Sequence, residues 1–363
     1  MNFKLEALFV EEAARSSELA RRILARIDRS LPVSYIADGR QAIRPTPGLD
    51  PFACGKRRLV IMNRRSRFLG ACPAGSAQFA CCGYLVLVLA SNCPMDCSYC
   101  FLQEYLADNP GFQIYANYTR AFEELERLSR SNPTRHFRVG TGELADSLAF
   151  DRLTGMSVDM VEFFARHERL TLEFKTKTDE IDNLLRLDPK GRVLVSWTLS
   201  TKRVYESSEH GAAAPEARIN AARRLREAGY RVAFHLDPII AYPQAAAEYG
   251  ELLGALFEVL DPTEISFVSL GGLRMTPGLR AIARRRFPDD SMLAGEEVLS
   301  DDGRYRAFHP LRVKLYRGLS ARIKAAAPNL MHYLCMETAA VAARALGAPP
   351  SSPAALSEWL ATK

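Results

Sequence analysis

The 363-residue sequence predicts an α/β fold: a partial (β/α)6 barrel, TIM-like in its winding and open on one side. An N-terminal helical leader precedes it, and a C-terminal β-hairpin and helical extension follows. Two observations predict the barrel. Six short runs are apolar nearly throughout, as strands covered on both faces must be. Each run is followed by a segment of helical spacing, and such alternation favours a parallel sheet with right-handed crossovers. Six units do not close an eight-stranded barrel. In open α/β sheets the chemistry belongs at the C-terminal ends of the strands.

The leader is expected over residues 1–82. Glu6 to Ile27 reads as one amphipathic helix, because Leu8, Ala13, Leu19, Ile23 and Ile27 fall near helical spacing. A stretch broken by Pro and Gly follows. Its basic clusters, KRR at 56–58 and RRSR at 64–67, suit a solvated face or a phosphate contact equally.

The barrel is expected over 83–290. GYLVLVLA (83–90) is the first strand, with a helix after Cys97. HFRVGTGE (136–143) precedes a helix at 151–168, and LTLEFKTK (170–177) precedes one at 180–187. RVLVSWTLS (192–200) leads to 215–228, YRVAFHLDPI (230–239) to 244–260, and EISFVSLG (264–271) to 277–286. Residues 291–363 form the extension. There DDG at 301–303, between two β-like runs, signals a hairpin. The segment APPSSPAALSEWL reads as a loose connection to a short terminal helix.

Composition is that of an ordinary globular protein, 48% hydrophobic and 25% charged. No apolar run reaches the ~18 residues a membrane helix needs. The N-terminus lacks the basic-then-apolar order of a signal peptide, so a cytoplasmic protein is expected. A net charge of +6 suits a nucleic-acid partner without demanding one.

The cysteines are the strongest local signal. Seven of the eight lie between Cys54 and Cys100, and the eighth is Cys335. Clustered thiols in a reducing compartment point to metal or redox chemistry. Cys93, Cys97 and Cys100 form C-x3-C-x2-C directly after the first strand. A disulfide takes two thiols, while a zinc site or an iron–sulfur cube takes four ligands. Three thiols on a cube leave one iron open to a non-protein ligand. On the residues alone, zinc completed by Cys81, Cys82 or a distant His stays open. The other strand ends gather Glu143, Asp146, Lys177, Thr198, Ser200, His235, Asp237 and Arg274 on one rim.

The triplet in this setting resembles the radical S-adenosylmethionine (SAM) superfamily. The phrases LEALFVEEAA, CSYCFLQ, GTGELADSLAFD, AGYRVAFHLDPII, RYRAFHPLRVKLYR and HYLCME narrow it to the spore photoproduct lyase family of DNA repair enzymes, over about residues 5–340. That resemblance implies a 4Fe–4S cluster on Cys93, Cys97 and Cys100, with SAM on the open iron. It implies that Tyr99 packs near the adenine and that Thr141, Gly142 and Glu143 receive the SAM ammonium, glycine allowing close backbone approach. Lys177, Thr198, Ser200 and His235 would contact the rest of SAM. A flavodoxin or ferredoxin would supply the electron. The implied reaction reverses a methylene bridge between adjacent thymines: a 5′-deoxyadenosyl radical takes hydrogen from C6, the bridge fragments, and a hydrogen atom is returned.

Two positions depart from the family. Glu143 stands where spore enzymes carry the cysteine that returns the hydrogen atom. The tyrosine pair around the last cluster cysteine is Tyr99 and Phe101, so one phenol is missing. Catalytic roles are therefore expected for Tyr99, Glu143 and Cys335, with Cys335 or Tyr305 as replacement donor; a small buried residue is the plainer reading of Cys335. The departures also leave room for another substrate (RNA, a nucleotide or a metabolite), or for a non-catalytic metal-containing nucleic-acid-binding protein. The expected partner is DNA carrying pyrimidine photoproducts, met by Arg304, Tyr305, Arg306 and Arg312 of the basic, aromatic hairpin segment, which continues through Lys314 and Arg317.

Overall fold

The computed structural model describes residues 5–42, 50–72, 79, 82–347 and 353–362. Cys81 and residues 348–352 of the C-terminal connection lie outside them.

The leader builds a sheet rather than one long helix. Its strands are β1 (Ala7–Glu11), β2 (Val33–Ile36) and β3 (Arg58–Met62), extended by β8 (Phe112–Tyr115) and β6 (Ala90–Ser91) in the order β2-β1-β3-β8-β6. The expected helix from Glu6 to Ile27 is corrected. Leu8 and Val10 are buried on alternate positions of β1, and the helix proper is only Glu18–Arg26. Ser17 starts it, its hydroxyl accepting from the Ala20 amide at 3.1 Å.

The main sheet has eight strands in the order β18-β14-β13-β11-β10-β9-β5-β4 and curls into an open half-barrel. They are β4 (Leu69–Ala71), β5 (Leu85–Leu87), β9 (Phe137–Gly140), β10 (Leu170–Thr176), β11 (Val193–Thr198), β13 (Arg231–Ile239), β14 (Ile265–Gly272) and β18 (His332–Leu334). All neighbours from β5 to β18 pair in parallel, and β4 is an antiparallel edge. The six expected strands are therefore present, with β18 as a seventh parallel member. One apolar core runs from Leu8, Val10 and Ile61 in the leader sheet to Leu172, Val195 and Phe234 in the main sheet.

Three local expectations change. GYLVLVLA is two strands, because the chain leaves the main sheet after Leu87 and joins the leader sheet at Ala90. The helix at 151–168 is broken by Gly155, whose φ of 59° leaves Asp151–Thr154 and Met156–Phe164 as separate pieces. The helix at 180–187 is a single 3-10 turn, Leu184–Arg186. Asp188 precedes Pro189, and a residue before proline avoids the helical region.

The hairpin is present. β16 (Glu297–Leu299) and β17 (Tyr305–Ala307) pair antiparallel around Gly303, φ 74°, and β15 (Arg274–Met275) adds to the other side of β17. Helices His309–Ala326, Ala339–Leu346 and Pro353–Thr362 complete the chain. Among the described residues no helix is long and apolar enough to cross a membrane.

Candidate active site

The cysteine loop leaves β6 through Asn92, a buried residue at φ 74° whose amide donates to Leu144 O at 2.8 Å. Its carbonyls are then tied down from outside. Lys56 Nζ donates to Cys93 O (3.0 Å) and to Met95 O, and pairs with Asp96 at 3.3 Å. Gln103 Nε2 donates to Ser98 O (2.8 Å), Cys100 O (3.2 Å) and Cys97 O (3.3 Å). Arg286 anchors the same loop through Asp96 at 2.9 Å and Asp50 at 2.6 Å. The backbone is held by these groups, and all three thiols are free.

Met95, Tyr99, Ile240 and Met275 surround the thiols on one side, and Phe52 and Leu102 on the other. Burial pushes Cys93 up to about 12 and also raises Cys97 and Cys100. Bare thiolates are costly in such a place, and metal ligation is what stabilises them there. Among the described residues no three Cys, His, Asp or Glu side chains converge tightly enough to grip a single metal ion. Cys93, Cys97 and Cys100 share one apolar cluster on one loop, and a multi-iron unit takes its thiolates on separate irons.

A buried polar brace stands behind the loop. β7 (Asp96–Cys97) pairs antiparallel with β12 (Glu209–His210), which sets Glu209 opposite Cys97. Glu209 accepts the Tyr99 hydroxyl, pairs with Arg218 at 2.5 Å and faces Lys177 at 3.9 Å. Lys177 Nζ also lies 5.6 Å from the Tyr99 ring centre. Burial alone would raise the Glu209 carboxyl; Lys177 and Arg218 outweigh it and hold it below its usual value.

The rim continues along the strand ends. Thr141 donates to Ser147 Oγ at 2.8 Å, and that oxygen accepts the Lys175 amide at 3.0 Å. A Cβ on Gly142 would lie 2.7 Å from Lys175 Cβ, so the chain passes there only as glycine. Glu143 is held above its usual value by burial, against the opposing pull of Lys175 and Arg274. Asp237 pairs with Arg274 at 2.9 Å; burial opposes its ionisation, but Arg274 and Lys175 bring it down to about 2. Cys335 follows β18 directly, its amide donating to Leu270 O at 2.8 Å, so the seventh strand delivers it to the same rim. Burial, then Asp237, pushes its thiol up to about 12. Glu143 and Cys335 thus share the surroundings of Asp237, Arg274 and Lys175. Thr198 ends β11, buried, with its carbonyl accepting Arg218 at 2.8 Å. Ser200 is buried, and its hydroxyl has no hydrogen-bond partner among the described residues. An orphaned buried hydroxyl of this kind marks a place for a ligand atom or a water.

Three expected binding residues are corrected. Both ring nitrogens of His235 are engaged, Nδ1 with Ser269 Oγ at 2.5 Å and Nε2 with Glu173 at 3.0 Å, so neither is free for a cofactor. Glu173 also takes Arg138 and Ser196, both at 2.7 Å, which makes His235 part of an internal network. Arg306 and Arg312 are less than a tenth exposed and converge on buried Glu337, at 3.7 and 3.0 Å. They bolt the hairpin to the helix and cannot reach phosphate. Arg304 remains at the surface of the hairpin, paired with Asp302 at 3.2 Å, and Tyr305 lies under Arg280 at 4.4 Å.

Sequence reading missed Glu209, Lys175 and Tyr84. Lys175 carried a signal, a charge two residues before Lys177 at the end of a strand that also carries Glu173. Tyr84 lies beside Gly140, whose missing side chain makes room for the phenol, and among the described residues its buried hydroxyl has no hydrogen-bond partner. Glu209 has no local signal, because only the pairing of β12 with β7 brings it to the site.

Comparison with known proteins places this architecture. The family model described as spore photoproduct lyase matches residues 3–308. A curated spore photoproduct lyase from Clostridium acetobutylicum is 25% identical over 79% of this chain and 84% of its own length. That of Geobacillus sp. is 26% identical over 68% of this chain and 72% of its own. A solved spore photoproduct lyase mutant with bound AdoMet and dinucleoside spore photoproduct superposes with a TM-score of 0.81 at 21% identity, covering 93% of this chain and all of that one.

Proposed function

The chain belongs to the spore photoproduct lyase family, and from that premise we propose that it reverses a methylene-bridged thymine pair in DNA. As a member it is a radical SAM lyase that works with a 4Fe–4S cluster and SAM. The observation that carries the site assignment is the cysteine loop: three free thiols, Cys97 buried and Cys93 and Cys100 half-buried, on a loop whose carbonyls and Asp96 are held by Lys56, Gln103 and Arg286.

The residues present fit both groups. Three thiolates are one short of a cube's four ligands, and the Ser200 hydroxyl is a buried polar atom still in need of a partner. Cys93, Cys97 and Cys100 would hold the cluster. Thr141, Gly142, Glu143, Lys177, Thr198 and Ser200 would take SAM, with Tyr99 against its adenine. Once bound, these groups supply a 5′-deoxyadenosyl radical that removes a hydrogen atom from the lesion. The chain itself orients the partners and excludes water. Glu143 has no hydrogen atom to give in place of the family's cysteine thiol and serves the SAM ammonium. Cys335 returns the hydrogen atom to the product radical, its S–H bond breaking as the product C–H bond forms and the unpaired electron passing to its sulfur. Its position past β18, beside Glu143's neighbours, supports that role.

The hairpin meets the DNA. With Arg306 and Arg312 committed inside, the hairpin and the start of the helix after it present exposed apolar side chains: Leu299 (58% exposed), Phe308 (55%) and Leu311 (50%). Such side chains prop a duplex open while the lesion leaves the stack. A flavodoxin or ferredoxin as electron donor and a cytoplasmic location complete the proposal.

The site assignment is tested by reconstituting the native chain and a Cys97→Ala variant with iron and sulfide under anaerobic conditions, then adding SAM and dithionite. Native protein is expected to release 5′-deoxyadenosine and the variant none, with equal circular dichroism. Equal release from both would remove Cys97 from the cluster.

A further inference from the structure

We propose that a basic groove between helices His309–Ala326 and Ala339–Leu346 holds the phosphate backbone of the DNA strand next to the lesion. The inference rests on the reading of DNA as substrate and names how that substrate is gripped. The groove encloses about 510 Å³. Its walls carry His309, Lys314, Arg317 and Arg344 and no acidic side chain, over an apolar floor that includes Val313 and Ala321. Positions 310, 314, 317 and 321 recur at helical spacing, so one stripe of the helix faces the groove. Gly318 leaves open space on the same stripe, where an added Cβ would touch nothing within 4 Å.

The groove cations Lys314, Arg317 and Arg344 differ from the cations committed inside the fold. Arg306 and Arg312 are neutralised by Glu337, Arg218 by Glu209 and Arg274 by Asp237. Among the described residues no acid pairs with Lys314, Arg317 or Arg344, and Arg317 donates to Arg344 O at 2.8 Å. Three positive groups along one trough, with His309 as a further polar group, match a polyanion and repel a basic partner.

Position argues for DNA in particular. The groove's helix begins directly after β17 of the hairpin, and exposed Phe308 and Leu311 stand at its start. From those two residues to Arg317 is about 9–14 Å at 1.5 Å per residue. At 3.4 Å per phosphate along one strand this is roughly three or four nucleotides. A strand parted at the apolar residues therefore reaches the cations within its next few phosphates. Glu337 fixes the spacing. It binds Arg306 of the hairpin and Arg312 of the helix, two residues beyond Cys335 on the rim. The family match stops at residue 308, so this groove lies beyond it.

The test compares the native chain, a Lys314→Ala/Arg317→Ala/Arg344→Ala variant, and an Arg21→Ala/Arg29→Ala/Arg127→Ala control. The control removes the same charge from exposed positions on other elements. Binding to a lesion-free duplex is measured by fluorescence anisotropy across a salt series, and repair is measured on the dinucleoside lesion, which has no flanking strand. Each phosphate contact contributes about 0.9 to the slope of log K against log salt, so the groove variant is expected to be shallower by about 2.7. Over a fourfold rise in salt, native affinity would then fall about 40-fold more than the variant's. Dinucleoside repair stays at the native rate, and the control keeps the native slope. Native affinity and slope in the groove variant, an equal loss in the control, or a loss confined to anionic vesicles would each overturn the proposal. If the groove variant loses duplex affinity as expected but the native protein restores no thymine from either lesion, the groove stands as a duplex-phosphate site and the substrate reading falls.

Discussion

Replacing Glu209 by glutamine removes the acid paired with Arg218, whose side chain is wholly buried. The guanidinium keeps its bonds to Ala213 O (2.7 Å) and Thr198 O (2.8 Å), but its charge loses compensation. Removing one partner of a buried pair costs about 3–5 kcal/mol. The new amide oxygen still accepts one hydrogen bond, so the lower end, about 3 kcal/mol, is expected. That is a large share of a typical 5–15 kcal/mol stability. The loss also reaches the cluster loop, because the Tyr99 hydroxyl and the β7–β12 pairing both depend on this residue. Urea unfolding of the reconstituted protein, with Arg218→Met and the double variant, completes a mutant cycle. A coupling of about 2 kcal/mol is expected between the two positions, along with slower SAM cleavage in Glu209→Gln. Stability within about 0.5 kcal/mol of native in Glu209→Gln, or additive effects in the double variant, would refute the brace.

Three further outcomes are expected. Cys335→Ala should leave 5′-deoxyadenosine formation intact while thymine recovery falls roughly tenfold, equivalent to about 1.4 kcal/mol; unchanged recovery by chromatography would move the donor role elsewhere. Gly142→Ala must displace Lys175, and such crowding costs about 1–3 kcal/mol; a raised KM for SAM is expected, and a native KM would count against the close approach. Burial, against the pull of Glu173, brings His235 down to about 4 from its ordinary 6.5. The unfolded chain then binds the extra proton first as pH falls. His235's contribution is full above pH 6.5 and lost between 6.5 and about 4, a fall of about 3 kcal/mol. Urea midpoints across that range should show the fall, and His235→Gln should flatten it.

The strand run was legible because a covered parallel sheet leaves a loud trace: five of the six expected strands fall within a few residues of their observed ends. The exceptions follow from where the pattern is short or shared. β18 is three residues long, and HYL carries no period that separates it from a loop. β1 is five residues, and Leu8 happens to fit the helical spacing of the residues beyond it. GYLVLVLA is apolar throughout because both sheets bury it, and local hydrophobicity cannot say that they are two sheets. At the site, the thiol spacing and the strand-end position pointed to the cysteine loop on which the proposed cluster assignment rests. Arg306 and Arg312 misled because a basic, aromatic run looks the same whether its charges face phosphate or a buried Glu337, and that glutamate is a contact between distant elements.

The most direct test supplies the reconstituted protein with SAM, dithionite and an oligonucleotide bearing the thymine photoproduct, following 5′-deoxyadenosine and restored thymine together by chromatography. Restored thymine that depends on SAM and on Cys97 is the predicted result. SAM cleavage with the lesion left intact would contradict the proposed substrate while leaving the radical chemistry in place. An intact, reducible cluster that cleaves no SAM would contradict the catalytic reading itself.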